Sequence, residues 1–250
     1  MGLQASGREF SYSQRIVETI LSQRGIKKRN YIEAKQKSRK YTVNDNYFKY
    51  QNENMAYILG FLAADGCVSK KENLISIQLQ KQDEDFLNKI KIEVESNREI
   101  KNYITTTGRP TCKMEICSSE WKKDLFIYNI VPNKTFILQP PTHLDNQFYI
   151  DYIRGYFDGD GSIYVDLKKY KNSFEIVGAS KNLMEWIRDV FANQYAITNN
   201  GLEICYTKDG TIMYKFAIRN KEKIKKIRDI FYKNPNCLCL ERKKEKMYLL

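Results

Sequence analysis

Two ten-residue segments, YILGFLAADG at 57–66 and YIRGYFDGDG at 152–161, share one pattern. Each opens with Tyr-Ile, has Gly at its fourth position and an aromatic at its fifth, and closes with Asp-Gly. Both read as apolar helices stopped by the final glycine. Gly60 and Gly155 sit inside those helices, where Gly costs roughly 1 kcal/mol relative to Ala. The compensating gain expected is close backbone-to-backbone approach. The two helices are therefore expected to pack side by side and form a seam between two halves.

The surrounding sequence repeats in the same order. After the first segment come strand-like stretches at 67–70 and 73–80, with Leu74, Ser76, Gln78 and Gln80 on one face. A helix at 83–96, a strand pair at 100–107 and 111–118, and a short helix at 119–130 follow. The second pass begins with a helix at 146–160. It continues with strands 162–167 and 173–179, a helix at 181–192, strands 202–207 and 211–219, and a helix at 221–233. The spacing predicts an α+β protein of two pseudo-symmetric αββαββα repeats packed through the motif helices, preceded by a basic N-terminal arm. The expected divisions are 1–49, 50–142 and 143–250. Phe86, Leu87, Trp121, Trp186 and Phe191 are expected in the core, and His143 in the connection between the halves.

Asp65 and Asp160 fall in the last turn of each motif helix, where the helix dipole is already negative and a carboxylate is mildly unfavourable. A local rule broken twice in register points to function. Paired carboxylates and free carbonyls at two helix ends make a hard-oxygen site suited to Mg²⁺. Ala64, beside Asp65, offers no ligand side chain.

On these residues the chain resembles the LAGLIDADG homing endonucleases in their single-chain, two-motif form, over about residues 50–250. The resemblance implies that Asp65 and Asp160 bind divalent metal, Mg²⁺ or another such as Mn²⁺. It further implies that each half presents a four-stranded antiparallel saddle to the major groove of a long double-stranded target. The enzyme then cuts one phosphodiester on each strand, leaving short 3′ overhangs. A Lys and a Gln or similar group are implied around each centre. By position the candidates are Lys134 in the first half, Lys243 or Arg242 in the second, and Gln80 as the water-positioning residue of the first half, where the second half offers only 178–180. Motif 2 departs from the pattern at Arg154 and Gly159, and has Asp158, expected on the helix surface or next to the site, where motif 1 has Ala63.

Composition bears on the partner. The chain carries 42 Lys and Arg against 30 Asp and Glu, a formal charge of +12, and one His. A single His excludes a His base at each of two centres, leaving metal ions or polar side chains to activate water. Residues 1–50 carry net +7 and residues 221–250 net +6, while 51–220 carry −1. A polyanion partner fits that distribution. Lys27, Lys28, Arg29, Lys37 and Arg39 in the arm are expected to track phosphates. Lys113, Lys215 and Arg219 alternate outward on strands and are expected in the groove. Six cysteines without CxxC spacing are expected as reduced thiols. The longest apolar stretch, 55–64, is too short to span a bilayer, and no secretory signal opens the chain. The expectation is an intracellular monomer without a small-molecule cofactor, in a bacterium, a phage-infected cell or an organelle, and intron-encoded. Two alternatives stay open, a DNA-binding regulator and an RNA-splicing maturase on the same scaffold.

Overall fold

A computed structural model describes residues 13–27 and 39–250. The chain divides into two compact units, Met1–Thr42 and Val43–Leu250. In the first, helix α1 (Gln14–Gln23) presents Ile16 and Ile20 at helical spacing and stops before Gly25, whose φ of 64° is left-handed.

The second unit holds both repeats. The first contains α2 (Glu53–Asp65), β1 (Gly66–Val68), β2 (Leu74–Gln80), α3 (Glu84–Glu93), β3 (Lys101–Ile104), β4 (Pro110–Cys117) and α4 (Ser119–Ile127). The second contains α5 (Tyr149–Asp160), β5 (Gly161–Asp166), β6 (Lys171–Gly178), α6 (Lys181–Tyr195), β7 (Glu203–Tyr206), β8 (Ile212–Ile218) and α7 (Lys221–Phe231). A further helix, α8 (Glu241–Tyr248), which the sequence pattern had not marked, closes the chain. Each repeat forms one antiparallel sheet, in the orders β1-β2-β4-β3 and β5-β6-β8-β7. Side-chain caps start the helices: Asn52 accepts from the Met55 N–H at 2.8 Å, and Asn220 from the Lys223 N–H at 3.0 Å.

Period-two alternation assigns the sheet faces. Ile75, Ile77, Met114 and Ile116 point inward in one sheet; Phe174, Ile176, Phe216 and Ile218 do so in the other. They pack under Phe86, Leu87 and Ile90 of α3 and under Leu183, Ile187 and Phe191 of α6. Rings of Phe191 and Phe216 stack at 5.1 Å. Trp121 is fully enclosed, whereas Trp186 is half-buried, edge-on to Tyr149 and Tyr152. The outer faces carry Ser76, Gln78, Gln80, Lys113 and Glu115 on one sheet, and Ser162, Glu175 and Lys215 on the other.

The seam is built by glycine. A Cβ on Gly60 would lie 1.9 Å from the Tyr152 carbonyl oxygen, and a Cβ on Gly155 would lie 1.9 Å from that of Tyr57. The reciprocal contact lets α2 and α5 touch backbone to backbone, as the motif predicts. Residues 43–49, expected in the basic arm, instead belong to the large unit. Tyr47 and Phe48 are buried against Trp121, whose Nε1 donates to the Asn44 carbonyl at 2.8 Å. Among the described residues no helix is long and apolar enough to cross a membrane.

Candidate active site

The two motif helices deliver their last residues to one place. Asp65 ends α2 and Asp160 ends α5, each followed by a glycine whose N–H closes the final turn. The ends abut: a Cβ on Gly159 would come within 2.4 Å of the Ala64 Cβ and 3.4 Å of Asp65 Oδ2. The Asp160 carboxyl is raised to about 6, first by surrounding protein and next by the charge of Asp65. Lys134, Lys243 and the Tyr156 hydroxyl oppose that rise. Asp65 is raised for the same first reason, opposed by Lys243, Lys134 and Arg242. Solvent still reaches both carboxylates, which weakens these effects relative to enclosed acids.

Two like charges at two partly negative helix ends are an arrangement that a divalent cation relieves. Among the described residues no three His, Cys, Asp or Glu side chains gather as a ligand set. The protein therefore offers two carboxylates, leaving the remaining positions for water and phosphate oxygens. That donor set fits Mg²⁺, which keeps several of its waters.

Both lysines bond carbonyls at the ends of the motif helices. Lys243 is 5% exposed and donates to the carbonyls of Phe157, Asp158 and Gly161 at 2.7, 2.8 and 2.6 Å. Burial lowers its pKa to about 8. It therefore caps the end of α5, and its orientation of Asp160 is indirect. Lys134 makes the matching bond, from Nζ to the Gly66 carbonyl after α2. Lys134 nonetheless lines the cavity of Asp160, not that of Asp65, because the segment after α4 crosses to the second half: Ser180 Oγ donates to the Leu138 carbonyl at 2.5 Å. The C-terminal segment crosses back, and Arg242 Nε donates to Asp83 at 3.0 and 3.3 Å. The expected second-half basic group thus enters the first-half cavity.

The two cavities differ. That of Asp65, about 380 Å³, is lined by Gln78, Gln80, Arg109, Thr111 and Arg242. That of Asp160, about 320 Å³, meets Val177, Gly178, Ala179 and Met213 on its sheet side, with Lys134 and Tyr156 opposite. Gln80 lines the cavity of Asp65. Tyr156 and Asp83 were missed. Tyr156 occupies the fifth motif position, where motif 1 has Phe61, so its hydroxyl was visible as a difference between repeats. The Asp83–Arg242 pair spans 159 positions and leaves no local signal. Of the two places expected for Asp158, the helix surface is ruled out: it is fully buried, accepting from Tyr57 Oη at 2.6 Å and from the Leu240 N–H at 2.8 Å.

Of the groove candidates, Lys113, Lys215 and Arg219 lie on the outer side of the strands, each held by carboxylates. Lys113 pairs with Glu115 at 3.0 Å, a carboxyl that Lys101, Lys113 and Arg98 hold down at about 2. Lys215 pairs with Glu203 at 3.0 Å, and Arg219 grips Glu203 through two bonds of 2.5 and 3.1 Å. Of the arm candidates, Lys27 and Arg39 lie among the described residues; Lys28, Arg29 and Lys37 lie outside them.

Comparisons with known proteins agree with this architecture. The LAGLIDADG endonuclease family pattern matches residues 153–250, and the LAGLIDADG-like domain pattern matches residues 52–126. An uncharacterized protein of Methanocaldococcus jannaschii is 24% identical over 145 residues, covering 54% of this chain and 51% of its own. The chain thus spans about half the length of that curated relative. Meganuclease I-SmaMI bound to uncleavable DNA superposes with a TM-score of 0.52 at 14% identity, over 80% of this chain and 89% of that one. Full-length WhiA from Thermatoga maritima gives 0.50 at 14% identity, over 82% and 64%. With one family pattern on each repeat and a reciprocal glycine seam joining the motif helices, the chain belongs to the LAGLIDADG family in its single-chain, two-motif form.

Proposed function

We propose that the protein is a site-specific endonuclease that binds a long double-stranded DNA and hydrolyses one phosphodiester on each strand, leaving short 3′ overhangs. The observation that carries this reading is the convergence of Asp65 and Asp160 at adjoining helix ends, each beside the outer face of its own sheet. The likeness of the fold to a DNA-bound meganuclease supports it.

At each strand a water oxygen forms a bond to phosphorus while one P–O ester bond breaks. The water gives up a proton and the leaving oxygen takes one, so one phosphomonoester and one hydroxyl result. Asp65 and Asp160 would hold Mg²⁺ or Mn²⁺, which when bound neutralises phosphate charge and assists water activation. Lys134 places a second positive charge in the cavity of Asp160. Gln80 and Thr111 offer groups that can orient a water beside Asp65. Lys113, Lys215 and Arg219 exchange their carboxylate partners for phosphates or base edges when DNA lies on the sheets. The basic residues of the arm, Lys27, Lys28, Arg29, Lys37 and Arg39, extend the footprint. Both motif helices are present in one chain and already fill the seam, so the working unit is a monomer, intracellular where its DNA is.

A second reading, a DNA-binding regulator, is favoured by the apolar wall beside Asp160. Cleavage of a randomised duplex library with Mg²⁺ or Mn²⁺ separates the two. The nuclease reading expects double-strand breaks at a recoverable sequence, lost in Asp65→Asn and Asp160→Asn. Binding without breaks establishes the regulator, and retained cutting in either variant removes the role given to that aspartate.

A further inference from the structure

Matched positions in the two repeats show where the centres part company. The motif-end contacts pair Lys134 with Lys243, since each donates to the glycine carbonyl after its motif helix. The residue before each is Asn133 in one tail and Arg242 in the other. The strand registers pair Gln78 opposite Lys113 and Val177 opposite Lys215. Two residues on, Gln80 therefore corresponds to Ala179. The helices that follow, whose buried Phe86, Leu87, Ile90 and Val94 match Leu183, Met184, Ile187 and Phe191, pair Asp83 with Ser180 at the residue before each helix.

The sheet-side glutamines and the ion pair of the Asp65 cavity are thus replaced at Asp160. Gln80 has become Ala179, and the Asp83–Arg242 ion pair has become Ser180 and Asn133. Asp83 is 6% exposed and takes Arg242 Nε at 3.0 Å, which fixes the direction of the guanidinium. A guanidinium carries five donors, so Asp83 engages only a part of it. The charge of Arg242 reaches Asp65, whose carboxyl it lowers. The second cavity keeps Lys134, Thr135 and the Tyr156 hydroxyl. Its sheet wall of Val177, Gly178, Ala179 and Met213 carries no side-chain group to align a water.

Resting on the nuclease reading above, we infer that the two centres work at unequal rates: the strand at Asp65 is cut first, with Gln80 and the cross-half Arg242 as its positioning residues, and a nicked duplex precedes the double-strand break. Positioned donors near developing charge are worth on the order of 100-fold each in rate. The inequality between strands therefore lies at 10-fold or above, on the order expected when one donor set is missing.

The test uses the full chain and the duplex recovered by the library selection, each strand carrying its own end label. Wild type is expected to release one labelled fragment on the order of 10-fold faster than the other. Gln80→Ala and Arg242→Met should slow the fast strand and spare the slow one, with Arg242→Lys restoring part of the loss. Ala179→Gln should speed the slow strand. Duplex affinity measured by anisotropy in EDTA should stay within about twofold for all four variants, since positioning groups act after binding. Equal strand rates in wild type overturn the inference while leaving the nuclease standing. So does equal slowing of both strands by Arg242→Met, or a parallel fall in metal-free affinity. If no cut duplex is ever recovered, the nuclease reading fails and this inference falls with it.

Discussion

Gly60→Ala isolates the seam. On helix propensity alone the change should stabilise α2 by roughly 1 kcal/mol. The structure reverses that sign. The new Cβ would stand 1.9 Å from the Tyr152 carbonyl oxygen, 2.7 Å from its carbon and 3.0 Å from the Tyr152 Cα. All three atoms are backbone, so no rotamer change relieves the clash. The helices must separate by about 1 Å or more, and a gap of that size forfeits a quarter to a half of each contact well it crosses. Overpacking of this kind costs up to about 3 kcal/mol, the lost seam contacts add about 1 kcal/mol, and the propensity gain returns roughly 1 kcal/mol, so the net loss is about 3 kcal/mol. For a chain of this length each kcal/mol moves Tm by about 2–4 °C, giving a fall of roughly 6–12 °C. Differential scanning calorimetry or a urea melt reads it directly. Gly155→Ala should match it, because Tyr57 O stands at the same 1.9 Å. The double variant should cost less than the sum, since one separation serves both clashes. An unchanged or raised Tm in Gly60→Ala would refute the claim that backbone contact sets the seam.

Three other outcomes are expected. Asp160 titrates near 6 in the fold against 3.8 unfolded, so the folded state binds more protons between those values. Asp151 is likewise raised to about 6, so without metal stability should decline as pH rises from about 4 to 6 and level off above, and Asp160→Asn should make that decline shallower without abolishing it in melts across the range. Arg154 donates from Nη1 to the Phe231 carbonyl at 2.5 Å and pairs with Asp151 at 3.1 Å, at 2% exposure. Arg154→Met should cost about 3–5 kcal/mol in a denaturant titration by stranding Asp151, and adding Asp151→Asn should recover part of it. A chain beginning at Val43 should bind a generic duplex more weakly at 50 mM salt, with a shallower slope of log K against log salt by roughly 0.9 for each lost phosphate contact. An unchanged slope would make the arm solvated surface.

What the sequence by itself determined follows from periodicity and repetition. Period-two alternation placed Lys113 and Glu115 outward against Met114 and Ile116, and period 3.6 placed Phe86, Leu87 and Ile90 inward. A costly glycine inside each motif helix announced the seam. Two aspartates at matching helix ends announced the site. Each is a local signal doubled by the repeat, and doubling is what lifted it above ordinary turn chemistry. The tertiary structure decided what depends on long loops crossing between halves. Lys134 and Arg242 each line the cavity of the opposite repeat, and Asp83 meets Arg242 across 159 positions. Lys243 is drawn to helix-end carbonyls it could not be seen to approach. Asp158 is buried because Tyr57 and the Leu240 N–H converge on it from both repeats. Helix and strand periods are written into neighbouring residues. The partners of a polar group are chosen by chain closure, which no local pattern encodes.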